Sequence, residues 1–179
     1  MSMQVQGYGT TARALHWLMA VLLVVQWFSG EYDDWLGLRT HFSLGLTLGL
    51  LVLIRLGWRV SHPAPPLPES APAWERLLGR LMHVAWYALM IAMPLSGILW
   101  RQFRGKATSW FGLYDVPPVL TVDKDWSHFM AETHEVLGTL FLILLGLHVL
   151  AALKHHFISR DQVLRGMLIG PSKASATLR

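Results

Sequence analysis

The chain has 179 residues, of which 53% are hydrophobic and only 15% are charged, and its formal net charge is +4. With a mean hydropathy of +0.39, this composition excludes a soluble domain of this size, whose surface would need more charge. No basic run alternates with aromatic residues, so the positive charge predicts contact with lipid and excludes nucleic-acid binding. Cysteine is absent, which excludes disulfides, iron–sulfur clusters and covalently attached c-type haem.

Four apolar stretches are each long enough to cross a bilayer, which takes about 20 mostly apolar residues. The first does not resemble a signal peptide, because it contains His16, Trp17 and Gln26, lacks a small-residue cleavage site and is followed by three more spans. The predicted fold is all-α, an integral-membrane four-helix bundle in one domain over residues 1–170, with a disordered basic tail at 171–179. The four predicted spans cover about residues 14–30, 41–58, 81–100 and 134–153.

The connections between the spans differ in character. Residues 61–74 are rich in proline and are not expected to be helical. The connection over residues 101–133 is long, and a loop of that length in a compact protein is usually functional or a lid. It contains turn signals at Arg104-Gly105 and Pro117-Pro118. The basic chain after Phe157 is expected to begin as an interfacial helix.

The distribution of lysine and arginine predicts the orientation in the membrane. Ten of the fifteen fall on one side of the spans, together with both chain termini. The opposite side holds eight of the eleven acidic residues and the other five cations, Arg39, Arg101, Arg104, Lys106 and Lys124. Both termini are therefore predicted to be cytoplasmic.

Two histidines in the fourth span, His134 and His148, are fourteen residues apart. On an α-helix this separation falls about 40° short of four turns and rises about 21 Å, so both side chains share one face at two depths. A polar group in lipid needs a partner, and an interhelical hydrogen bond or a water molecule would account for a single histidine. Two ionisable residues on one face instead indicate a functional site.

The other spans place further histidines at the same two depths. His41 begins the second span at the outer level of His134, and His16 and His83 lie at the inner level of His148. Imidazoles that meet at two levels of a bundle core are the arrangement that two bis-histidine haems require. The spans contain no thiol and no Glu-x-x-His pair, which disfavours a zinc or di-iron site. Depth alone leaves open whether His16 or His83 partners His148.

Glycines and an arginine lie near these histidines. Gly45, Gly49 and Gly138 follow the outer histidines at helical spacing, where they would let a porphyrin approach the backbone or would serve ordinary helix packing. Arg55 lies fourteen residues after the histidine of the second span. It therefore reaches the inner level on the same face, where a haem propionate would be a suitable partner. Snorkelling to the membrane interface is the alternative.

Motifs in all four spans resemble the bacterial cytochrome b561 family, over nearly the whole chain up to about Leu168. They are His16-Trp17, "THFSLGL" with "LVLIRL", "LMHVAWYALMIAMPLSG" and "THEVLGTLFLILLGLHVLAALKHHF". Members of that family are four-helix, dihaem b-type cytochromes of the bacterial inner membrane, so the resemblance implies two haem b groups. It implies further that His41 and His134 hold the outer haem iron and that His16 and His148 hold the inner one.

The resemblance also implies an activity. A member of the family is a superoxide oxidase, which passes electrons from periplasmic superoxide to ubiquinone, so we expect an oxidoreductase with these partners or another periplasmic donor. The alternative is a cytochrome b subunit that links a dehydrogenase or hydrogenase partner to the quinone pool. The outer-loop residues Trp110, Phe111, Leu113 and Tyr114 would then form either a docking surface or a lid over the outer haem.

Two further sites are predicted at the ends of the bundle. Arg101, Arg104 and Lys106 form a local basic cluster that could steer an anion such as superoxide, although interfacial anchoring would also explain them. His155, seven residues after His148, continues the same helix face to the inner interface. A quinone headgroup could bind there, with this imidazole as its proton donor.

Overall fold

The computed structural model describes residues 8–63 and 71–170, and four long helices account for most of them. They are α1 (Thr10–Glu31), α2 (Asp33–Ser61), α3 (Ala73–Phe103) and α4 (Lys124–Lys154). Each is long and apolar enough to cross a membrane, which confirms the predicted all-α fold with four spans. The predicted disordered tail, residues 171–179, lies outside the described residues.

The helices are longer than the predicted spans. Helix α4 begins at Lys124 and not near His134, because the carboxylate of Asp123 accepts hydrogen bonds from the backbone N–H groups of Asp125 and Trp126, both at 3.0 Å. Such an N-cap satisfies donors that would otherwise lack a partner in the first turn. Helix α3 begins at Ala73, so the last two residues of the predicted proline-rich linker are helical.

The helices pack as two antiparallel pairs. Helix α1 packs on α2 and α3 packs on α4, while α2 and α3 join the pairs. At this junction a Cβ atom on Gly49 would lie 3.5 Å from Pro94, so this glycine serves helix packing. Among the described residues, α1 and α4 make few direct backbone contacts, and the rings of His16 and His148 lie between them.

A β-hairpin that the sequence did not predict occupies the connection between α3 and α4. Its strands are β1 (Thr108–Trp110) and β2 (Tyr114–Val116), antiparallel, with Ser109 opposite Asp115. The predicted turn at Arg104-Gly105 is the point where α3 ends, and Gly105 has a φ of +64° there. We call the hairpin side of the bundle its outer end and the opposite side its inner end.

The inner end of α4 turns back toward α1. A π-helical turn (His155–Ser159) follows α4, Arg160 adopts a φ of +51°, and a short helix α5 (Val163–Leu168) follows. The indole N–H of Trp17 donates to the carbonyl of Met167 at 3.1 Å. The segment after α4 is therefore held against the start of α1.

Candidate cofactor site

The outer histidines face each other across the bundle. His41 on α2 and His134 on α4 have ring centroids 6.1 Å apart. Glycines on the other two helices make room for these rings, because a Cβ on Gly30 would lie 2.7 Å from Cε1 of His41 and one on Gly97 would lie 3.1 Å from Cε1 of His134. All four helices therefore shape this pair.

A hydrogen bond determines which nitrogen of His134 carries the proton. The hydroxyl of Ser96 donates to the carbonyl of Met93 at 2.8 Å, and its oxygen lies 2.9 Å from Nδ1 of His134. Because the serine proton is already used, Nδ1–H of His134 donates to Ser96. The lone pair of the neutral ring is therefore on Nε2, the nitrogen available to a metal.

His41 has the same tautomer, which is set by residues of α1. Its Nδ1 lies 3.1 Å from the carbonyl of Gln26, which can only accept a hydrogen bond, and 3.4 Å from the hydroxyl of Ser29. The lone pair is again on Nε2. The side-chain amide nitrogen of Gln26 lies 3.3 Å from that atom, and Oε1 of the same amide is buried with no partner among the described residues. This amide must turn aside for a metal to bind His41.

The inner pair joins α1 to α4. The ring centroids of His16 and His148 are 6.2 Å apart. His83 instead hydrogen-bonds through Nδ1 to the carbonyl of Gly79 in its own helix, at 2.7 Å. The geometry thus brings together the pair that the family resemblance implies, while ligation of iron by these residues stays a prediction.

Arg55 points toward the inner pair. Its Nη2 lies 3.3 Å from Nδ1 of His16, and its Nη1 is buried with no hydrogen-bond partner among the described residues. A buried guanidinium nitrogen without an acceptor fits an anionic group at this level, as a haem propionate would be. The contact with His16 disfavours snorkelling. Because a guanidinium only donates, His16 accepts at Nδ1 in this arrangement, and Arg55 must leave that atom before Nε2 can bind iron.

The separation of the rings fits a metal between them. An imidazole nitrogen binds a first-row metal at about 2 Å and its ring centre lies about 1 Å behind, so two rings on opposite sides of one metal have centres about 6 Å apart. No group of three or more metal-binding side chains occurs in the part of the chain that the structure describes. Each pair offers two imidazole nitrogens, the donor set that would hold the iron of a haem.

An aromatic cluster fills the core between the two pairs. Phe141 is buried and lies seven residues from both His134 and His148. The ring of Trp86 packs edge-on against Phe141 at 5.4 Å and against His148 at 5.9 Å. Its buried Nε1–H has no partner among the described residues. No motif or spacing in the sequence pointed to this cluster.

Not all three cations of the predicted basic cluster are available to an incoming anion. Arg101 packs its guanidinium on the ring of Phe42 at 4.0 Å and donates to the hydroxyl of Thr108 at 3.1 Å. Arg104 lies 5.8 Å from the ring of Trp100, and Lys106 is exposed. Arg101 thus holds the loop to α2, and the use of all three cations in anion steering stays a prediction.

The aromatic rings beneath these arginines also contact the outer histidines. Phe42 lies 6.2 Å from the ring of His41, and Trp100 lies 6.5 Å from the ring of His134. Each arginine therefore lies one aromatic ring away from a predicted haem ligand.

At the inner end, His155 is paired and mostly buried. Its Nδ1 lies 2.5 Å from the carboxylate of Asp161, and the two side chains are 13% and 16% exposed. The second carboxylate oxygen of Asp161 accepts from the backbone N–H of Val163 at 3.0 Å. Lys154 binds Glu75 on α3 at 2.6 Å, so it joins the end of α4 to a neighbouring helix. A quinone site at His155 stays a prediction.

Sequence reasoning missed the hydrogen-bond partners of the outer histidines, namely Gln26, Ser29 and Ser96. A signal was present, because each is a polar residue inside an apolar span and such a group needs a partner. Ser29 and Ser96 also directly precede the two glycines that make room for the rings. The sequence alone did not show which histidine each would meet.

The chain is similar to known proteins along nearly its whole length. The family model for prokaryotic cytochrome b561 matches residues 7–170. "Cytochrome b561 homolog 2" from Escherichia coli strain K12 is 36% identical over 171 residues, which are 90% of each chain. "Cytochrome b561 homolog 1" from the same organism is 27% identical over 90% of this chain and 96% of its own.

The name of a third relative states an enzymatic activity. "Probable superoxide oxidase CybB" from Yersinia pestis is 31% identical over 90% of this chain and 95% of its own. With four membrane-spanning helices and these matches along nearly the whole chain, the protein belongs to the prokaryotic cytochrome b561 family, which binds b-type haem, and is a multi-pass oxidoreductase of the bacterial inner membrane that transfers electrons across it.

Proposed function

We propose that this protein oxidises superoxide at its outer, periplasmic end and reduces ubiquinone in the membrane, with two b-type haems between them. Two superoxide anions each lose one electron and become dioxygen. One ubiquinone takes up the two electrons and two protons and becomes ubiquinol. The observation that carries the proposal is the presence of two facing histidine pairs, 6.1 Å and 6.2 Å apart, at two levels of one bundle.

The chain would hold one haem at each level. His41 and His134 would hold the haem iron at the outer level, and His16 and His148 would hold it at the inner level. A haem with two histidine ligands supplies one-electron transfer and leaves no open iron position for oxygen. In this proposal Arg55 moves its guanidinium from the inner histidine to a propionate, which gives its buried Nη1 an acceptor.

The name of the Yersinia pestis relative supports superoxide as the donor. The outer surface offers compatible chemistry, since Arg101 and Arg104 lie on the rings of Phe42 and Trp100 beside the outer histidines. Positive charge at that place would attract a small anion toward the outer haem edge. Because exposed charges are screened by salt, we expect superoxide oxidation to slow as ionic strength rises.

The inner end offers a proton donor for the acceptor. His155 and Asp161 form a mostly buried pair where α4 turns toward α5. A histidine held by a carboxylate can pass a proton to a reduced quinone and be reprotonated from the cytoplasm. The basic residues of the chain that face lipid headgroups then keep this end at the membrane surface.

The direct test uses purified protein. Haem quantification with a reduced-minus-oxidised spectrum should give two haem b per chain. Stopped-flow mixing with superoxide should then reduce the haems rapidly, and a soluble ubiquinone analogue should reoxidise them. If superoxide leaves the oxidised haems unchanged while a quinol reduces them quickly, the protein is instead a cytochrome b subunit for a dehydrogenase or hydrogenase partner.

The inner site has its own test. His155→Ala should retain both haems and their reduction by superoxide but slow reoxidation by the quinone analogue. His156→Ala, which removes the neighbouring imidazole, is the matched control and should change neither step. Equal quinone kinetics in both variants would contradict a role for His155.

A further inference from the structure

The outer β-hairpin ends in an exposed, uncharged and strongly apolar tip. From Trp110 to Tyr114 its residues are Trp, Phe, Gly, Leu and Tyr, and the nearest charges are Lys106 and Asp115 toward its open end. Phe111 is 52% exposed, Leu113 is 79% exposed and Tyr114 is 64% exposed. Apolar surface of this kind in a water-facing loop would have an unfavourable free energy of hydration.

The backbone of the tip is held in an uncommon conformation. Leu113 N–H bonds to the carbonyl of Trp110 at 2.9 Å, and the two residues between them have positive φ, +50° for Phe111 and +71° for Gly112. Glycine adopts this region freely, whereas a phenylalanine does so at a cost. The turn keeps Phe111 at the exposed tip of the hairpin.

Hydrogen bonds fix the hairpin to one face of α2. The hydroxyl of Ser43 accepts from the backbone N–H of Phe111 at 2.9 Å, and the indole N–H of Trp110 donates to the hydroxyl of Thr47 at 3.0 Å. Thr47 is six residues further along α2 than His41, which corresponds to about 9 Å toward the inner end. The indole of Trp110 therefore reaches below the level of His41.

This face of α2 points away from the histidine pair. At about 100° per residue, Ser43 and Thr47 lie about 160° and 120° from the direction of His41. The hairpin is thus not a lid over the histidines. The same stripe continues along α2 through Leu50 and Ile54, which are 57% and 50% exposed and lie on the membrane-spanning part of the helix.

From this continuity we propose that the hairpin tip, Trp110–Tyr114, is inserted in the outer leaflet of the membrane, where it contacts lipid acyl chains. The occupant of the apolar surface is lipid, because the tip extends the lipid-facing stripe of α2 at the depth of the span. Trp110 and Tyr114 are residue types that favour the boundary between headgroups and hydrocarbon. The hydroxyls of Ser43 and Thr47 satisfy polar groups of the hairpin that lipid could not.

The absence of cysteine from the chain allows a clean test. Single-cysteine variants L113C, L50C and K106C are spin-labelled and reconstituted as haem-loaded protein in phosphatidylcholine vesicles. Collisions of each label are measured with oxygen, which concentrates in hydrocarbon, and with a nickel chelate, which stays in water. L50C is the lipid reference on the same face of α2, and K106C is the water reference at the open end of the hairpin.

We expect the oxygen-to-nickel accessibility ratio at L113C to lie near that of L50C and several-fold above that of K106C. A ratio equal to that of K106C would place the tip in water and overturn the proposal. Low accessibility to both reagents would also overturn it, since a protein partner or a second copy of the chain would then cover the tip. An unchanged haem spectrum in each variant establishes that the bundle is intact, and Y114C repeats the measurement at a second tip residue.

Discussion

At the scale of single residues, the hydrogen bonds at Nδ1 of the outer histidines determine which ring nitrogen is available to a metal. Ser96 accepts from His134, and the backbone of Gln26 accepts from His41. Both bonds leave Nε2 available and raise its basicity, which favours the oxidised state of a bound iron. At the inner level, Arg55 instead donates toward His16, so the two levels differ in the charge near their ligands.

Ser96→Ala should raise the midpoint potential of the outer haem. Loss of the acceptor makes His134 a weaker donor to iron, and a hydrogen bond of about 1 kcal/mol corresponds to about 40 mV for a one-electron couple. Potentiometric titration with optical detection measures this shift. Ser61→Ala is the control, because that hydroxyl bonds to backbone carbonyls of its own helix. A midpoint that does not move would show that the bond to Ser96 has no influence on the iron.

Arg55→Leu should lower the midpoint potential of the inner haem. The positive charge near a propionate favours the reduced state, so its removal makes reduction less favourable, by roughly tens of millivolts. Arg59→Leu removes the same charge one turn further along α2 and should have a smaller effect. If the two variants shift the inner midpoint equally, Arg55 acts only through the general charge of the inner end.

At the scale of helices, small residues set how closely ligands and backbones approach. Gly30 on α1 and Gly97 on α3 lie directly behind the outer histidine rings, and Gly49 lies against Pro94 at the α2–α3 junction. Glycine permits these approaches because it has no Cβ. By contrast, a Cβ on Gly138 would meet nothing within 4 Å, so its proposed part in admitting a porphyrin stays a prediction.

Gly30→Ala should reduce outer-haem binding while the bundle remains folded. The new methyl carbon would lie 2.7 Å from Cε1 of His41, so the ring must move from its bond with Gln26 and from its position opposite His134. Haem content should fall toward about one per chain, read from the pyridine haemochromogen spectrum. Gly57→Ala, whose Cβ would meet nothing within 4 Å, is the control and should retain full haem content. Full haem content in Gly30→Ala would show that the ring can adjust.

At the scale of the whole molecule, the proposed arrangement has two cofactor levels, for which three helices would supply ligands and one would shape the pockets. Helix α4 contributes a histidine to both levels, α1 and α2 contribute one each, and α3 contributes Ser96 and Gly97. Because α1 and α4 have few direct contacts among the described residues, a cofactor between them would also be a packing element. Haem binding should therefore raise the stability of the bundle as well as carry electrons.

His16→Ala should remove the inner haem and leave the outer one, whereas His83→Ala should retain both. The reason is that the ring of His16 lies opposite the ring of His148, with centroids 6.2 Å apart. Haem content and the split of the α-band in reduced spectra distinguish the variants. His41→Ala is the complementary variant and should lose the outer haem. The opposite result, with the inner haem lost in His83→Ala and kept in His16→Ala, would reassign the inner pair.

Hydropathy and helix geometry determined much of this protein from the sequence alone. Four spans, two histidine depths and the shared face of His134 and His148 follow from local composition and from a helical rise that the backbone sets. The partners across helices did not follow, since they depend on how each helix is rotated and how closely it approaches its neighbours. The family resemblance implied the pairing of His16 with His148, and the spacing along α2 put Arg55 at their level. Only the tertiary structure showed that these side chains meet and that Ser96 orients His134.

The ends of the bundle were also decided by tertiary structure. The hairpin forms where Ser43 and Thr47 on α2 provide hydrogen-bond partners for Phe111 and Trp110, a contact between residues more than sixty positions apart in sequence. In the same way, α5 turns back where Asp161 binds His155. Short elements of this kind have too little local preference to form alone, so their position depends on the helices against which they pack.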